Sequence, residues 1–213
     1  DLPQALAALA EELGARDAAR LSAPRPPVAT TGALTPDALS SLIANGLPEQ
    51  AIVIEESVSV GRGFYAAAAG AAQHDWLQIT GGAIGNGPPM ALGAAMACPE
   101  RRVICLEGDG SAMYTNQALW TMAREGLGVT MVVLNNAGYA ILHGEFKTLA
   151  GVPAGREASQ IMDISEPSID WLAMAKAMGV PATRARDAAE FEAAFAAANA
   201  GSGPHLIEAV VAR

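Results

Sequence analysis

The chain has 213 residues, which suits one domain with a short attached segment and gives ample length for a core. Apolar residues make up 51% against 16% charged, carried by Ala, Val, Leu and Ile rather than by aromatics, as in α/β domains with buried parallel strands. A net charge of −9 repels phosphate backbones and argues against a nucleic-acid partner; no apolar run approaches the roughly 20 residues that span a bilayer, so no membrane partner is expected either.

The two cysteines, Cys98 and Cys105, are spaced for no metal site, and Cys105 reads as a small hydrophobe within a strand. That usage is consistent with a reducing cytoplasm, and the N-terminus lacks the basic-then-apolar pattern of a secretory signal, so a cytoplasmic location is expected. The chain starts at Asp1 without an initiator methionine, which leaves open that it is a piece of something larger.

Asp1 to Leu21 reads as an Ala- and Leu-rich helix, and the prolines between Ser22 and Val28 break it as a linker, so residues 1–30 are expected to stand apart from a domain at 31–213. Thr35-Pro36-Asp37 opens a helix with a cap, an early proline and an early acid, and Gly46 and Pro48 end it. Ala51–Glu55 follows as a strand. The loop after it, Glu56 to Gly61, is rich in serine, which suits either a plain helix cap or a diphosphate held by hydroxyls and turn amides. Ile79 to Pro89 is a glycine-rich loop before the helical stretch at 90–97. A G-x-G-x-x-G in register and a following ribose-binding acid are both missing, so a dinucleotide is a poor fit.

Val103–Leu106 and Val129–Leu134 are apolar runs of strand length separated by a stretch of helical spacing, one βαβ unit. Each ends in a small polar cluster, Gly108-Asp109-Gly110-Ser111 and Asn135-Asn136-Ala137-Gly138. In doubly wound sheets ligands sit at the carboxyl ends of strands, so both clusters point at one crevice. Asp109, the Asn136 amide oxygen and loop carbonyls form an all-oxygen set suited to a hard divalent ion, magnesium by preference, that holds phosphates. Gly108 and Gly110 allow close backbone approach, and Ser111 starts the following helix, where amides favour anions. Gly-Asp-Gly alone is also an ordinary turn; the paired asparagines at the next strand end weigh against that reading.

Beyond Leu142 a Gly- and Pro-containing loop is expected to about Pro167, long enough to suggest function or mobility. A helix at Ser168–Met178, a strand at Ala182–Arg184, a helix at Ala188–Ala200 and a strand at His205–Val211 complete the chain. Of the three histidines, His74 and His205 read as surface or packing residues; His143 follows the segment that would face a reacting centre, where an imidazole can move protons.

Gly108-Asp109-Gly110 followed by Asn135-Asn136 resembles the diphosphate-binding signature of thiamine-diphosphate enzymes, and the flanking DGSAMYTNQALWT and NNAGYAIL are similar to the acetolactate synthase and benzoylformate decarboxylase branch. The likeness is dense from Thr80 to Leu142 and looser over 35–79 and 143–211. It implies an α/β doubly wound, mostly parallel sheet with helices on both faces, binding thiamine diphosphate and Mg2+. Metal ligands would be Asp109, Asn136 and the Gly138 carbonyl. The cofactor would be contacted by Ser57, Val58 and Ser59, by Gly108, Gly110 and Ser111, and by Tyr139. The Gly82 carbonyl would accept from the aminopyrimidine, and Ile84 would prop the cofactor in its bent form, unless Ile84 merely packs the core.

Ile141 and Leu142 would form an apolar wall for a 2-oxo acid or its acceptor, with core packing as the alternative; pyruvate-decarboxylase-like members carry an acid where Leu142 stands. The family's activating glutamate belongs to a separate pyrimidine-binding domain, on the same or another chain, which this sequence does not resemble. The expected activity is therefore that of a cofactor-anchoring part, inactive by itself, of an enzyme that acts on 2-oxo acids and is a homo-oligomer when complete. A non-catalytic binding or assembly module of the same fold is the alternative.

Overall fold

The computed structural model describes residues 1–14, 24–27 and 31–211. Helix α1, Leu2–Glu12, buries none of its residues; the rest of the expected N-terminal helix, 15–21, lies outside the described residues. The described part of the proline-rich stretch docks on helix α2, Pro36–Gly46, where the Pro26 carbonyl accepts from Asn45 Nδ2 at 2.9 Å and the Pro27 carbonyl accepts from the Ser41 hydroxyl. Thr35 caps α2 as expected, its side chain accepting from the Ala38 amide at 3.2 Å, with proline in the first turn.

Strand β1, Ala51–Glu56, leads through the short helix α3, Phe64–Ala67, to β2, His74–Gln78. Helix α4, Gly87–Ala97, precedes β3, Val103–Gly108; the four-residue turn α5, Asp109–Ala112, and α6, Ala118–Glu125, precede β4, Val129–Asn135. Then come α7, Ala140–Ala150, α8, Arg156–Met162, α9, Trp171–Ala177, β5, Ala182–Ala185, α10, Ala188–Ala200, and β6, His205–Val210.

Among the described residues the strands form one parallel sheet in the order β2-β1-β3-β4-β6-β5, which is the doubly wound α/β fold. Side chains alternate across it because a strand's period is two. Val53, Ile104, Leu106 and Val132 face a core built with α2 and α10, including Leu39, Phe191 and Phe195. Ile52, Cys105, Met131 and Val133 face a second core with α4, α6 and α9, including Leu119, Met122 and Trp171. The chain leaves β1 toward one edge and β3 toward the other, so a crevice opens above their carboxyl ends.

Two expectations change. The segment 144–167 is not a loop: α7 and α8 occupy most of it, and neither buries a residue, which is why no core-facing apolar stripe marks them. No strand is expected from sequence at 74–78, where β2 lies: as an edge strand with a half-exposed face it lacks the apolar run that marks a buried strand.

Candidate cofactor and metal site

The register of the sheet brings the carboxyl ends of β1, β3 and β4 level, with Glu56 beside Glu107 and Gly108 beside Leu134. Three loops leave this rim, at 57–59, 109–111 and 136–139. They enclose a cavity of about 370 Å³. Of the residues expected from sequence, Ser57, Val58, Ser59, Ile84, Gly108, Asp109, Gly110, Ser111, Asn136, Gly138, Tyr139, Ile141 and Leu142 all line it. Gly82 lines an adjoining cavity of about 320 Å³ that shares Val58 and Ile84 with the first.

Asp109 forms the floor and is 3% exposed. One carboxylate oxygen accepts from the Gly110 amide at 2.9 Å and the other from the Ala137 amide at 2.6 Å, so the residue ties the loop after β3 to the loop after β4. Burial pushes its pKa up to about 6, against the pull of the backbone amides of Ala137, Gly110, Gly138 and Asn136. The Asn136 amide oxygen accepts from the Gly138 amide at 3.1 Å, which folds the loop back on itself. Ala137 has a φ of 54°, a left-handed turn held by the Ile164 amide donating to its carbonyl at 3.2 Å. Asn135 faces the other way: its amide nitrogen donates to Glu208 at 2.7 Å and its oxygen accepts from Ala137 at 3.0 Å.

On the β1 side Ser57 is buried and its hydroxyl donates to the Glu55 carboxylate, so the serine-rich loop is not a helix cap. Val58 holds a φ of 51°, unusual for a β-branched residue and of the kind that concentrates at functional sites. Gly61 is required here, because a Cβ would stand 2.8 Å from that of Ser57. Ser111 lies within α5, where its hydroxyl donates to the Gly108 carbonyl at 3.2 Å. The Gly82 carbonyl accepts from the Ile84 amide at 2.9 Å, and a carbonyl oxygen can accept a second hydrogen bond. Ile84 is 42% exposed and Leu142 46%, and Ile141 is half-buried in the same cavity wall, so none of the three is a core residue.

The donor set of Asp109, Asn136 and the Gly138 carbonyl consists of oxygens alone, which fits a hard divalent ion with phosphate oxygens filling the remaining positions. Among the described residues no three His, Cys, Asp or Glu side chains gather as a metal cluster. His143 lines a second cavity, of about 400 Å³, which shares Ser59, Val60, Asn136, Gly138 and Ala140 with the first. Glu56 and Glu107 were visible in the sequence only as acids at strand ends. Both are fully buried here, and an acid closing an apolar strand run is the signal that marks them.

The family described as "Thiamine pyrophosphate enzyme, C-terminal TPP binding domain" matches residues 61–209. Over 208 residues the chain is 48% identical to a putative acetolactate synthase large subunit IlvX of Mycobacterium tuberculosis, covering 97% of this chain and 40% of that protein. It is 33% identical over 187 residues to a benzoylformate decarboxylase of Pseudomonas aeruginosa, 87% of this chain and 34% of that one. Among solved structures, a thiamine diphosphate-dependent 4-hydroxybenzoylformate decarboxylase of Rhodococcus jostii superposes with a TM-score of 0.75 at 32% identity, over 92% of this chain and 36% of that chain. The chain thus spans well under half the length of these relatives. Among the described residues no helix is long and apolar enough to cross a membrane.

Proposed function

Since the chain belongs to the C-terminal TPP-binding domains of thiamine pyrophosphate enzymes, we propose that residues 31–213 anchor thiamine diphosphate through Mg2+ for chemistry on 2-oxo acids. When bound, the cofactor supplies the carbon nucleophile and electron sink for breaking or forming the bond beside a keto group. In this reading Asp109, Asn136 and the Gly138 carbonyl hold the metal. Ser57, Ser59 and Ser111 line the diphosphate end, the hydroxyls of Ser57 and Ser111 turning from Glu55 and the Gly108 carbonyl to donate to the ligand, with the backbones of Val58, Gly108 and Gly110 drawn close. Tyr139 closes the pocket from the β4 side. Gly82 and Ile84 take the pyrimidine end, and Ile141 and Leu142 form the wall for the 2-oxo acid or its acceptor.

The observation that carries the proposal is the seat of Asp109, a buried carboxylate at a strand end, braced by two loop amides at the floor of a cavity. Turnover needs more than this chain. Its three nearby glutamates are committed elsewhere: Glu55 to Ser57, Glu56 to the Gly85 and Gly87 amides, and Glu107 to a fully buried position. A pyrimidine-binding domain would bring the activating acid and cover the open side of the cofactor, in a cytoplasmic homo-oligomer of the complete protein.

Calorimetric titration with thiamine diphosphate tests this. Binding by the wild-type chain should require Mg2+ and disappear in Asp109→Ala; binding that survives the substitution overturns the assignment. Steady decarboxylation of pyruvate or benzoylformate by the chain alone would overturn the claim that it is incomplete.

A further inference from the structure

The loop that carries Gly82 and Ile84 is tied to the end of β1 by a buried carboxylate. The Glu56 carboxylate, 1% exposed at the end of β1, accepts from the Gly85 amide through one oxygen and from the Gly87 amide through the other. Gly87 is the first residue of α4, so the same carboxylate satisfies an amide that the helix cannot. It also sits at the positive end of an 11-residue helix. The Thr115 hydroxyl donates to the Gly85 carbonyl at 2.8 Å, so both sides of that residue are held.

Gly85 has a φ of 90°, and a Cβ there would stand 2.7 Å from that of Tyr114. Gly87 leaves no more room: a Cβ would meet Glu56 Oε2 at 2.9 Å and Glu107 Oε2 closer still. Ile84, the residue before the clamped Gly85, lines the cavity and is 42% exposed there.

We propose that Glu56 is a positioning residue for the proposed cofactor site, clamping Gly85 and Gly87 so that Gly82 and Ile84 are presented to the pyrimidine end of the ligand. The proposal rests on the function given above and adds a division of labour: Asp109 governs the diphosphate end, Glu56 the other. Glu56 itself touches no ligand.

Two ligands separate the ends. Inorganic diphosphate with Mg2+ engages the Asp109 end alone, whereas thiamine diphosphate with Mg2+ engages both. Glu56→Gln turns one accepting oxygen into a donor that faces a backbone N–H, so calorimetry should show thiamine diphosphate affinity falling about ten- to a hundredfold while inorganic diphosphate affinity changes less than about twofold. Asp109→Asn should weaken both. If Glu56→Gln does not fold, as judged by circular dichroism, Thr115→Val carries the test, since it releases the carbonyl of the same residue, Gly85, from a half-buried site and should show the same selective loss. Equal affinities in variant and wild type, or equal losses for both ligands in a folded variant, overturn the clamp. A wild-type chain that binds neither ligand overturns the function on which the clamp rests.

Discussion

The ring of Tyr139 lies against Gly110, so close that a Cβ placed on the glycine would stand 2.7 Å from the ring Cδ1. The two residues come from loops after different strands, β4 and β3, and their contact joins the Asn136 loop to the Asp109 loop. Gly110→Ala should push the ring away, lowering Mg2+-dependent thiamine diphosphate affinity and costing about 1–3 kcal/mol of stability, as overpacking does. Calorimetry and urea unfolding check the two effects separately; unchanged values in both would show that the contact is idle.

The adjacent asparagines should separate by readout. Asn135→Asp sets a second carboxylate where the amide now lies 2.7 Å from buried Glu208, whose other oxygen accepts from Arg184 at 2.6 Å. The expected loss is on the order of 2–4 kcal/mol of folding stability, the scale for an uncompensated buried charge. Asn136→Ala should leave stability nearly intact and weaken Mg2+-dependent binding, while Asn136→Asp, which keeps an oxygen, should retain it. The opposite assignment of effects would mean that the wrong asparagine has been placed at the metal.

Ile84 and Leu142 are exposed enough that truncation should change stability by less than about 0.5 kcal/mol. Ile84→Ala should nonetheless weaken thiamine diphosphate binding by the chain. Leu142→Ala, made in the complete protein, should alter the relative rates on pyruvate and benzoylformate. A stability loss of core size in either variant would return these residues to packing.

His205 supplies a pH dependence remote from the ligand. Its ring is half-buried at the start of β6, with Nε2 2.9 Å from the Thr183 hydroxyl. Burial lowers its pKa below the usual 6.5, and the Arg102 charge adds to this. The unfolded chain therefore takes up the proton first, so the contribution is intact above about 6.5 and is lost as pH falls toward the folded value. Urea midpoints measured from pH 7.5 to 5 should fall more steeply for wild type than for His205→Gln, and parallel curves would rule this out.

What could be read from the sequence was whatever leaves a local pattern. The doubly wound fold was legible because β3 and β4 are buried on both faces and so read as unbroken apolar runs, and α2 announced itself through Thr35 and Pro36. Asp109 and Asn136 stood out because glycine and asparagine cluster where strands end, whereas Ser57, Val58, Ile84 and Leu142 are assigned to the site only through the resemblance. Helices α7 and α8 left no trace, since Gly144 and Pro153 read as breakers and no residue of either helix is buried. The tie from Glu56 to Gly85 was out of reach for a different reason. It joins residues far apart in the chain through backbone amides, which every residue but proline possesses and which no sequence pattern marks.

The position of β6 has a consequence for how the molecule is made. It lies between β4 and β5, so the strand synthesised after the other five is paired on both sides, while β5 has no other neighbour in the sheet among the described residues. A ribosome that has released everything up to α10 has produced a sheet with a gap, its β4 edge bare and β5 with nothing to pair against. Non-local pairing of this kind is slow and leaves an open edge while it waits. Closure of the domain therefore waits until β6 has left the ribosome, and a chain cut short before His205 would be aggregation-prone rather than a smaller working one.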